Sequence, residues 1–148
     1  MLRGEFAAGT GRPYIYARLW IPRFGVARIV RFCVDTGSGY TMLMPSDGFR
    51  MGLDYSLLDD EHHVATVGGQ TSAFLEAAHL TFREQNSPTA YGYHVMLAIT
   101  PPSIEAMRLP SLLGRDVINR WRIDYHPTAG QLLCDVMTAD DTVDLGAH

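Results

Sequence analysis

The segment best suited to chemistry is a short acidic turn between two apolar runs. Residues 32–43 read FCVDTGSGYTML, so Asp35 ends one strand-like run and another follows it. Hydrophobic surroundings raise the pKa of a carboxyl group, because burial disfavours its charged form. Hydrogen bonds from turn amides and from the hydroxyls of Thr36 and Ser38 would oppose that rise and orient the carboxylate. Gly37 permits the sharp backbone turn. The pattern indicates an acid held in place for proton transfer.

The same triplet has a purely structural explanation. Aspartate often caps a β-turn through its own side chain, and a lone D-T-G triplet is short enough to occur by chance. The apolar runs on both sides favour the chemical interpretation without deciding it. A second segment decides it: residues 110–118 read PSLLGRDVI, a short apolar strand that runs into Gly114 and then into a helix.

The elements that would position these segments are mostly strands. Aromatic and β-branched runs bounded by Gly and Pro predict them; they cover 14–21, 26–34, 40–44, 63–67, 71–82, 91–99, 122–125 and 131–136. One helix is predicted from Gly114 to about Trp121, whereas 46–60 is expected to be irregular with at most one helical turn. The fold class is therefore mainly β, a closed or nearly closed β barrel with one short C-terminal helix.

Taken together, these segments resemble the retropepsin family of aspartic peptidases. The family shows an apolar strand, then D-T/S-G-A/S, then a glycine-tipped flap hairpin, then apolar-apolar-Gly-Arg-Asp/Asn-apolar at the start of a helix. All of these occur here in that order, and the likeness covers roughly residues 14–136. The stretch MRLPSLLGRDVINRWRIDYHPTAGQL is especially similar to bacterial stand-alone members. The resemblance implies a retropepsin-like acid-protease lobe.

The resemblance also implies roles for residues. Asp35 would be the catalytic aspartate, and Thr36 would hydrogen-bond to its counterpart across a dimer, with Gly37 and Ser38 completing the active-site loop. The tip of the flap over bound peptide would be Val67, Gly68 and Gly69. The loop would be supported from below by Gly114, Arg115 and Asp116, with Asp116 structural and hydrogen-bonded near Thr41.

Two departures from the family pattern affect these expectations. Retroviral members carry an acidic residue just after the motif, where this chain has Gly39 and Tyr40. Arg115 is therefore expected to lack a local acidic partner. Retroviral chains also end soon after the helix, whereas here a hairpin is predicted over residues 122–136, so the dimer interface is expected to be arranged differently.

Aspartic peptidases as a class use two carboxyls about 3 Å apart that share one proton. This chain has one D-T-G motif and about half the length of a two-lobed enzyme, so the resemblance implies a homodimer acting on peptide or protein substrates. No metal is expected, because His62 and His63 are adjacent on a strand and point to opposite faces, and no third ligand sits at a familiar spacing. No cofactor is expected either, since residues 68–71 lack the lysine and spacing of a phosphate loop. The alternative is a non-proteolytic retropepsin-like module that binds peptides or mediates dimerisation.

The composition of the chain limits its domain number and the classes of partner that it can have. With 148 residues, 47% hydrophobic and 19% charged, the chain fits one globular domain, expected over 13–136 between a flexible arm (1–12) and an acidic tail (137–148). A net charge of −4 argues against nucleic-acid binding. No apolar run approaches a membrane span and no secretory signal is apparent, so cytoplasmic localisation is expected, with Cys33 and Cys134 as buried reduced thiols.

Overall fold

The computed structural model describes residues 1–66 and 69–146, and these residues form a mainly β structure. Twelve strands and two α-helices are present in this part of the chain. The strands are β1 (Leu2–Arg3), β2 (Glu5–Phe6), β3 (Pro13–Ile21), β4 (Val26–Val34), β5 (Met42–Leu43), β6 (Glu61–Thr66), β7 (Gly69–Arg83), β8 (Thr89–Ile99), β9 (Leu112–Leu113), β10 (Trp121–His126), β11 (Gln131–Val136) and β12 (Asp141–Asp144). The helices are α1 (Pro45–Met51) and α2 (Arg115–Ile118).

Six of the strands close into a barrel, as the sequence predicts. The order is β8-β5-β9-β4-β3-β7, and β7 pairs with β8 to complete the ring. On β3, Ile15, Ala17 and Leu19 are buried while Tyr16 and Arg18 between them are exposed. Successive side chains of a strand point to opposite faces, so this alternation supplies the inner wall of the barrel.

The barrel interior is filled by large apolar side chains that lose nearly all contact with solvent. Full burial of each contributes about 1.5–3 kcal/mol. Examples that are at most 1% exposed are Leu19, Phe32, Leu43, Leu80, Phe82, Tyr93, Leu97, Ile99 and Leu113. A second, smaller cluster of Met42, Met44, Val64, Ala73 and Ala98 lies beneath the β6–β7 hairpin.

Both chain ends pair with neighbouring strands, where the sequence suggested a loose arm and tail. Strand β1 pairs with β11, which also pairs with β10, so these three strands form a separate sheet. Leu2 is 1% exposed within it. At the other end, the fully exposed β12 pairs with β8. Two- to four-residue strands of this kind give too few periodic positions to be recognised in a sequence.

The helices differ from the prediction. The longer one, α1, lies in the segment expected to be irregular; it begins with Pro45 in its first turn and is closed by Gly52, whose φ is 77°. Proline at the start and glycine just past the end are typical helix boundaries. The predicted C-terminal helix exists as the four-residue α2, because Trp121 belongs to β10 and packs edge-on against Phe82. None of the helices in the described ranges has the length and apolar character to cross a bilayer.

Candidate active site

Asp35 occupies the first position after β4, and its carboxylate is held by its own turn. The Asp35 amide donates to the carbonyl oxygen of Leu113 at 3.0 Å. The amide of Gly37 donates to Asp35 Oδ1 at 2.8 Å, and the Ser38 amide donates to the Asp35 carbonyl oxygen at 3.3 Å. The side chain is only partly buried, so the carboxylate is oriented while one side stays open.

The two sequence segments meet through β9. This strand pairs in parallel with β4, with Val34 opposite Leu113, and antiparallel with β5, with Met42 opposite Leu112. The Asp35 turn therefore passes over one end of β9 to reach its other side. The predicted proximity of the D-T-G turn and the L-L-G-R-D segment is confirmed.

Gly114 is required by a close approach of two backbone segments. A Cβ atom there would lie 2.4 Å from the carbonyl oxygen of Tyr40 and 2.9 Å from that of Ser38. The next residue, Arg115, donates its amide to the same Ser38 carbonyl at 2.8 Å. The first turn of α2 thus lies directly against the loop that follows Asp35, and only glycine leaves space for that contact.

Asp116 anchors the far side of the loop. Its two carboxylate oxygens accept from the amide and the hydroxyl of Thr41, at 3.0 and 2.8 Å. The Thr41 hydroxyl oxygen in turn accepts from the Gly114 amide at 3.2 Å, and Thr41 is 0% exposed. The contact between Asp116 and Thr41 is the one that the resemblance implies. Burial raises the pKa of Asp116, and the hydrogen bonds from Thr41 oppose that rise.

This raised pKa predicts how an Asp116→Asn variant responds to pH. When the pKa of a carboxyl group is higher in the folded than in the unfolded protein, the group stabilises the fold at pH values below its unfolded pKa, which is 3.8 for Asp. That stabilisation is lost as the pH rises through the pKa of the folded state. Relative to wild type, the variant should therefore lose more stability near pH 4 than at pH 7. Urea unfolding of both proteins at the two pH values measures this, with the exposed Asp135→Asn as the control. If the variant's loss of stability relative to wild type were larger at pH 7 than at pH 4, the prediction would be wrong.

Arg115 finds a partner that sequence reasoning did not identify. Its guanidinium donates from Nη1 to the carbonyl oxygen of Thr36 at 2.7 Å. The missing acid after the motif is thus replaced by a backbone acceptor within the loop that follows Asp35. A backbone carbonyl leaves no trace in residue identity, so no sequence signal could have indicated this contact.

The hydroxyl of Ser38 does not orient Asp35, contrary to the expectation from sequence. Its single proton is donated to the Tyr40 carbonyl oxygen at 2.6 Å, which tightens the loop instead. Thr36 is exposed, and its contact with a second chain stays a prediction. The orienting group found for the Asp35 carboxylate is therefore the amide of Gly37.

A buried serine ties the frame of the site together. Ser111 is 0% exposed; its hydroxyl donates to Asp47 Oδ2 at 2.6 Å and accepts from the Met44 amide at 2.9 Å. Its carbonyl oxygen accepts from the Cys33 amide at 2.8 Å. Ser111 thus fixes β9 to both β4 and the start of α1. Sequence reasoning missed this role, because Asp47 and Ser111 are far apart in the chain.

An open cleft of about 510 Å³ lies beside Asp35. Its other lining residues are Pro13, Val34, Thr36, Ile123 and Tyr125. The last two come from β10, which is the edge of its three-stranded sheet, and Tyr125 is 52% exposed. Among the described residues lining this cleft, Asp35 is the one carboxylate.

The predicted hairpin is present in β6 and β7, whose register runs from Glu61 opposite Phe74 to Thr66 opposite Gly69. Val67 and Gly68, two of the three predicted flap-tip residues, lie outside the described residues. The third, Gly69, begins β7 with a φ of 118°, a conformation that favours glycine. Midway along the hairpin, opposite Val64, Thr71 lines an apolar cleft of about 260 Å³ together with Met42, Met44, Thr100, Leu109 and Leu112.

Comparisons with known proteins found matches among solved structures. No protein-family model matches the chain, and no curated protein matches it. Among solved structures, the chain is similar to one described as a retropepsin-like aspartic protease from Rickettsia conorii, with 20% sequence identity and a TM-score of 0.49. The match covers 88% of this chain and 87% of that chain. Its description names the family that the sequence motifs resemble.

Proposed function

We propose that this protein is an aspartic endopeptidase that becomes competent as a homodimer. The observation that carries the proposal is Asp35 itself. Its carboxylate is held by the Gly37 amide at 2.8 Å and borders an open cleft that contains no second carboxylate among the described lining residues. The sequence resemblance supplies the reaction class for an acid in this setting.

The chemistry requires a second carboxyl group, and a second copy of the chain supplies it. A two-fold axis beside Asp35 would place it against its twin. Like charges at such a distance cannot both ionise, so the pair shares one proton. The ionised carboxylate then takes a proton from a water molecule that attacks the scissile carbonyl carbon, and the protonated carboxyl donates to the carbonyl oxygen.

The second copy would cover the cleft beside Asp35. Strand β10 offers an open edge there, and Ile123 and Tyr125 line the cleft. An edge strand with an exposed aromatic side chain is suited to pairing with another chain. This arrangement differs from a retroviral dimer. Retroviral chains end soon after the helix, whereas here the proposed interface strand β10 is followed by β11, its partner in a hairpin.

The substrate would be an extended polypeptide segment. Within the described residues β6 pairs with β7 alone, so the hairpin presents backbone groups along its outer edge, and an extended peptide can add to such an edge as a strand. The apolar cleft that Thr71 of the hairpin lines together with Met42, Met44 and Leu112 suits an apolar substrate side chain. Residues 67–69 are proposed to close over the bound peptide.

Dimer-dependent catalysis predicts how the rate depends on concentration. Below the dimer dissociation constant, the rate of peptide cleavage should rise with the square of protein concentration, because each active site needs two chains. Cleavage of a denatured protein mixture between pH 3 and 8, with the solution mass measured by light scattering, tests this. Strictly linear rates from a proven monomer would overturn the dimer mechanism. A dimer that binds denatured protein without cutting it would favour the non-proteolytic module.

A further inference from the structure

Four arginines line one cleft close to Asp35. This cleft, called here the arginine cleft, has a volume of about 280 Å³, and Arg12, Arg31, Arg50 and Arg108 are among its lining residues. The whole chain carries a net charge of −4, so a cluster of four positive charges is unusual for its overall composition. These arginines do not form a continuous run of charge in the sequence, because they come from four separate parts of the chain.

Two of these arginines are neutralised within the protein. Arg31 donates to Glu5 Oε1 at 2.8 Å and lies over the Tyr14 ring at 3.8 Å. Arg50 lies 3.6 Å from Asp47, which is the one acid among the described residues of the cleft lining. Because Asp47 also accepts from the Ser111 hydroxyl, its carboxylate is occupied.

The charges of the other two arginines are not neutralised by described residues of the protein. Arg12 and Arg108 are exposed, and the described residues offer neither guanidinium a hydrogen-bond or ion-pair partner. Arginine presents a planar fork of donors that matches a carboxylate with two parallel hydrogen bonds. Two such groups in one concave cleft therefore form a receptor for an anion.

The arginine cleft adjoins the candidate active site. Arg12 directly precedes Pro13, which lines the cleft beside Asp35. Burial raises the pKa of the Cys33 thiol and the charge of Asp35 raises it further, while Arg12 and Arg31 oppose the rise. From Arg31 to Asp35 the distance along β4 is about 13 Å, at about 3.3 Å per residue. Leu109 joins the arginine cleft to the apolar cleft beneath the hairpin.

We propose that the arginine cleft binds the carboxylate of a Glu or Asp side chain in the substrate, within about four residues of the bond that is cleaved. This inference rests on the proposed peptidase function and adds a substrate class to it. Extended peptides advance about 3.3 Å per residue, so an acidic side chain at that separation reaches the cleft while the scissile bond lies at Asp35. The adjacent apolar cleft makes acidic-plus-apolar segments the favoured substrates.

The first test compares cleavage sites in a peptide library made from a digested proteome. Wild type should show Glu and Asp enriched within four residues of the cut, and Arg12→Gln/Arg108→Gln should lose that enrichment while still cutting peptides without acids. The matched control, Arg18→Gln/Arg83→Gln, removes two exposed arginines outside this lining and should keep the wild-type pattern. Cleavage without acidic enrichment, or the same enrichment in all three proteins, would overturn the inference.

A binding test separates this inference from the peptidase proposal. In an Asp35→Asn background, a fluorescent hexa-Glu peptide should bind about 10- to 100-fold more tightly than hexa-Gln, the range expected for hydrogen bonds to charged groups. The difference should shrink at high salt and disappear with the Arg12→Gln/Arg108→Gln pair. If no protein is cleaved but this preference is found, the peptidase proposal fails and the acidic-peptide site stands. Equal affinity for the hexa-Glu and hexa-Gln peptides would overturn the proposed acidic-peptide site, whatever the cleavage result.

Discussion

Peptide cleavage by an Asp35→Asn variant should fall by roughly 10²–10⁴-fold or more, to background, at every pH from 3 to 8. The amide has nearly the shape of the carboxyl, but it can neither ionise to accept a proton from water nor donate as an acid. A homodimer of the variant loses both members of the dyad. The Gly37 amide, now 2.8 Å from Asp35 Oδ1, can still donate to the Asn oxygen, so the fold and the dimer should be retained.

The measurement is peptide hydrolysis by wild type and variant side by side, with thermal unfolding and solution mass recorded for both. Asp135→Asn, which changes an exposed Asp of β11, is the matched control and should keep full activity. Mixing variant with wild type should also reduce activity, because with equal amounts and random pairing about a quarter of the dimers keep two carboxyls. Equal hydrolysis rates for wild type and Asp35→Asn would refute the catalytic role of Asp35.

Replacing Gly114 with alanine should cost about 3 kcal/mol of unfolding free energy. The added Cβ would lie 2.4 Å from the Tyr40 carbonyl oxygen and 2.5 Å from its carbonyl carbon. Both contacts are with backbone, which cannot rotate away as a side chain would. Relief requires the active-site loop to separate from α2, which also lengthens the 2.8 Å bond from the Arg115 amide to the Ser38 carbonyl. Catalysis should fall together with stability.

Urea denaturation of Gly114→Ala measures this loss, and Gly39→Ala is the control from the same loop. A Cβ at Gly39 would meet only Arg115 Nη2 at 3.4 Å, an ordinary contact, so its effect should stay within about 0.5 kcal/mol. Similar stabilities for the two variants would show that the loop and α2 are not held as closely as the geometry indicates.

Features of the fold and site that depend on local residue patterns were predictable from the amino-acid sequence. Runs rich in aromatic and β-branched residues, bounded by Gly and Pro, predicted the barrel strands with approximate limits, as for residues 14–21 and the observed β3. The D-T-G turn and the L-L-G-R-D segment were recognisable because the chemistry of the turn and the close packing at Gly114 restrict residue type at those positions. The family resemblance carried by these segments implied the contact between Asp116 and Thr41, which the structure shows.

Contacts between residues far apart in the chain became visible only in the folded structure. Arg115 donates to a backbone carbonyl of the loop, and Ser111 joins Asp47 to two strands; neither leaves a pattern in nearby residues. The short strands β1 and β12 were missed because two to four residues show no period. The arginine cleft collects residues from separate segments, and only the folded chain shows that two of its charges are already paired. Residue identity thus indicated the acid and its turn, whereas long-range packing set which charges and apolar surfaces surround it.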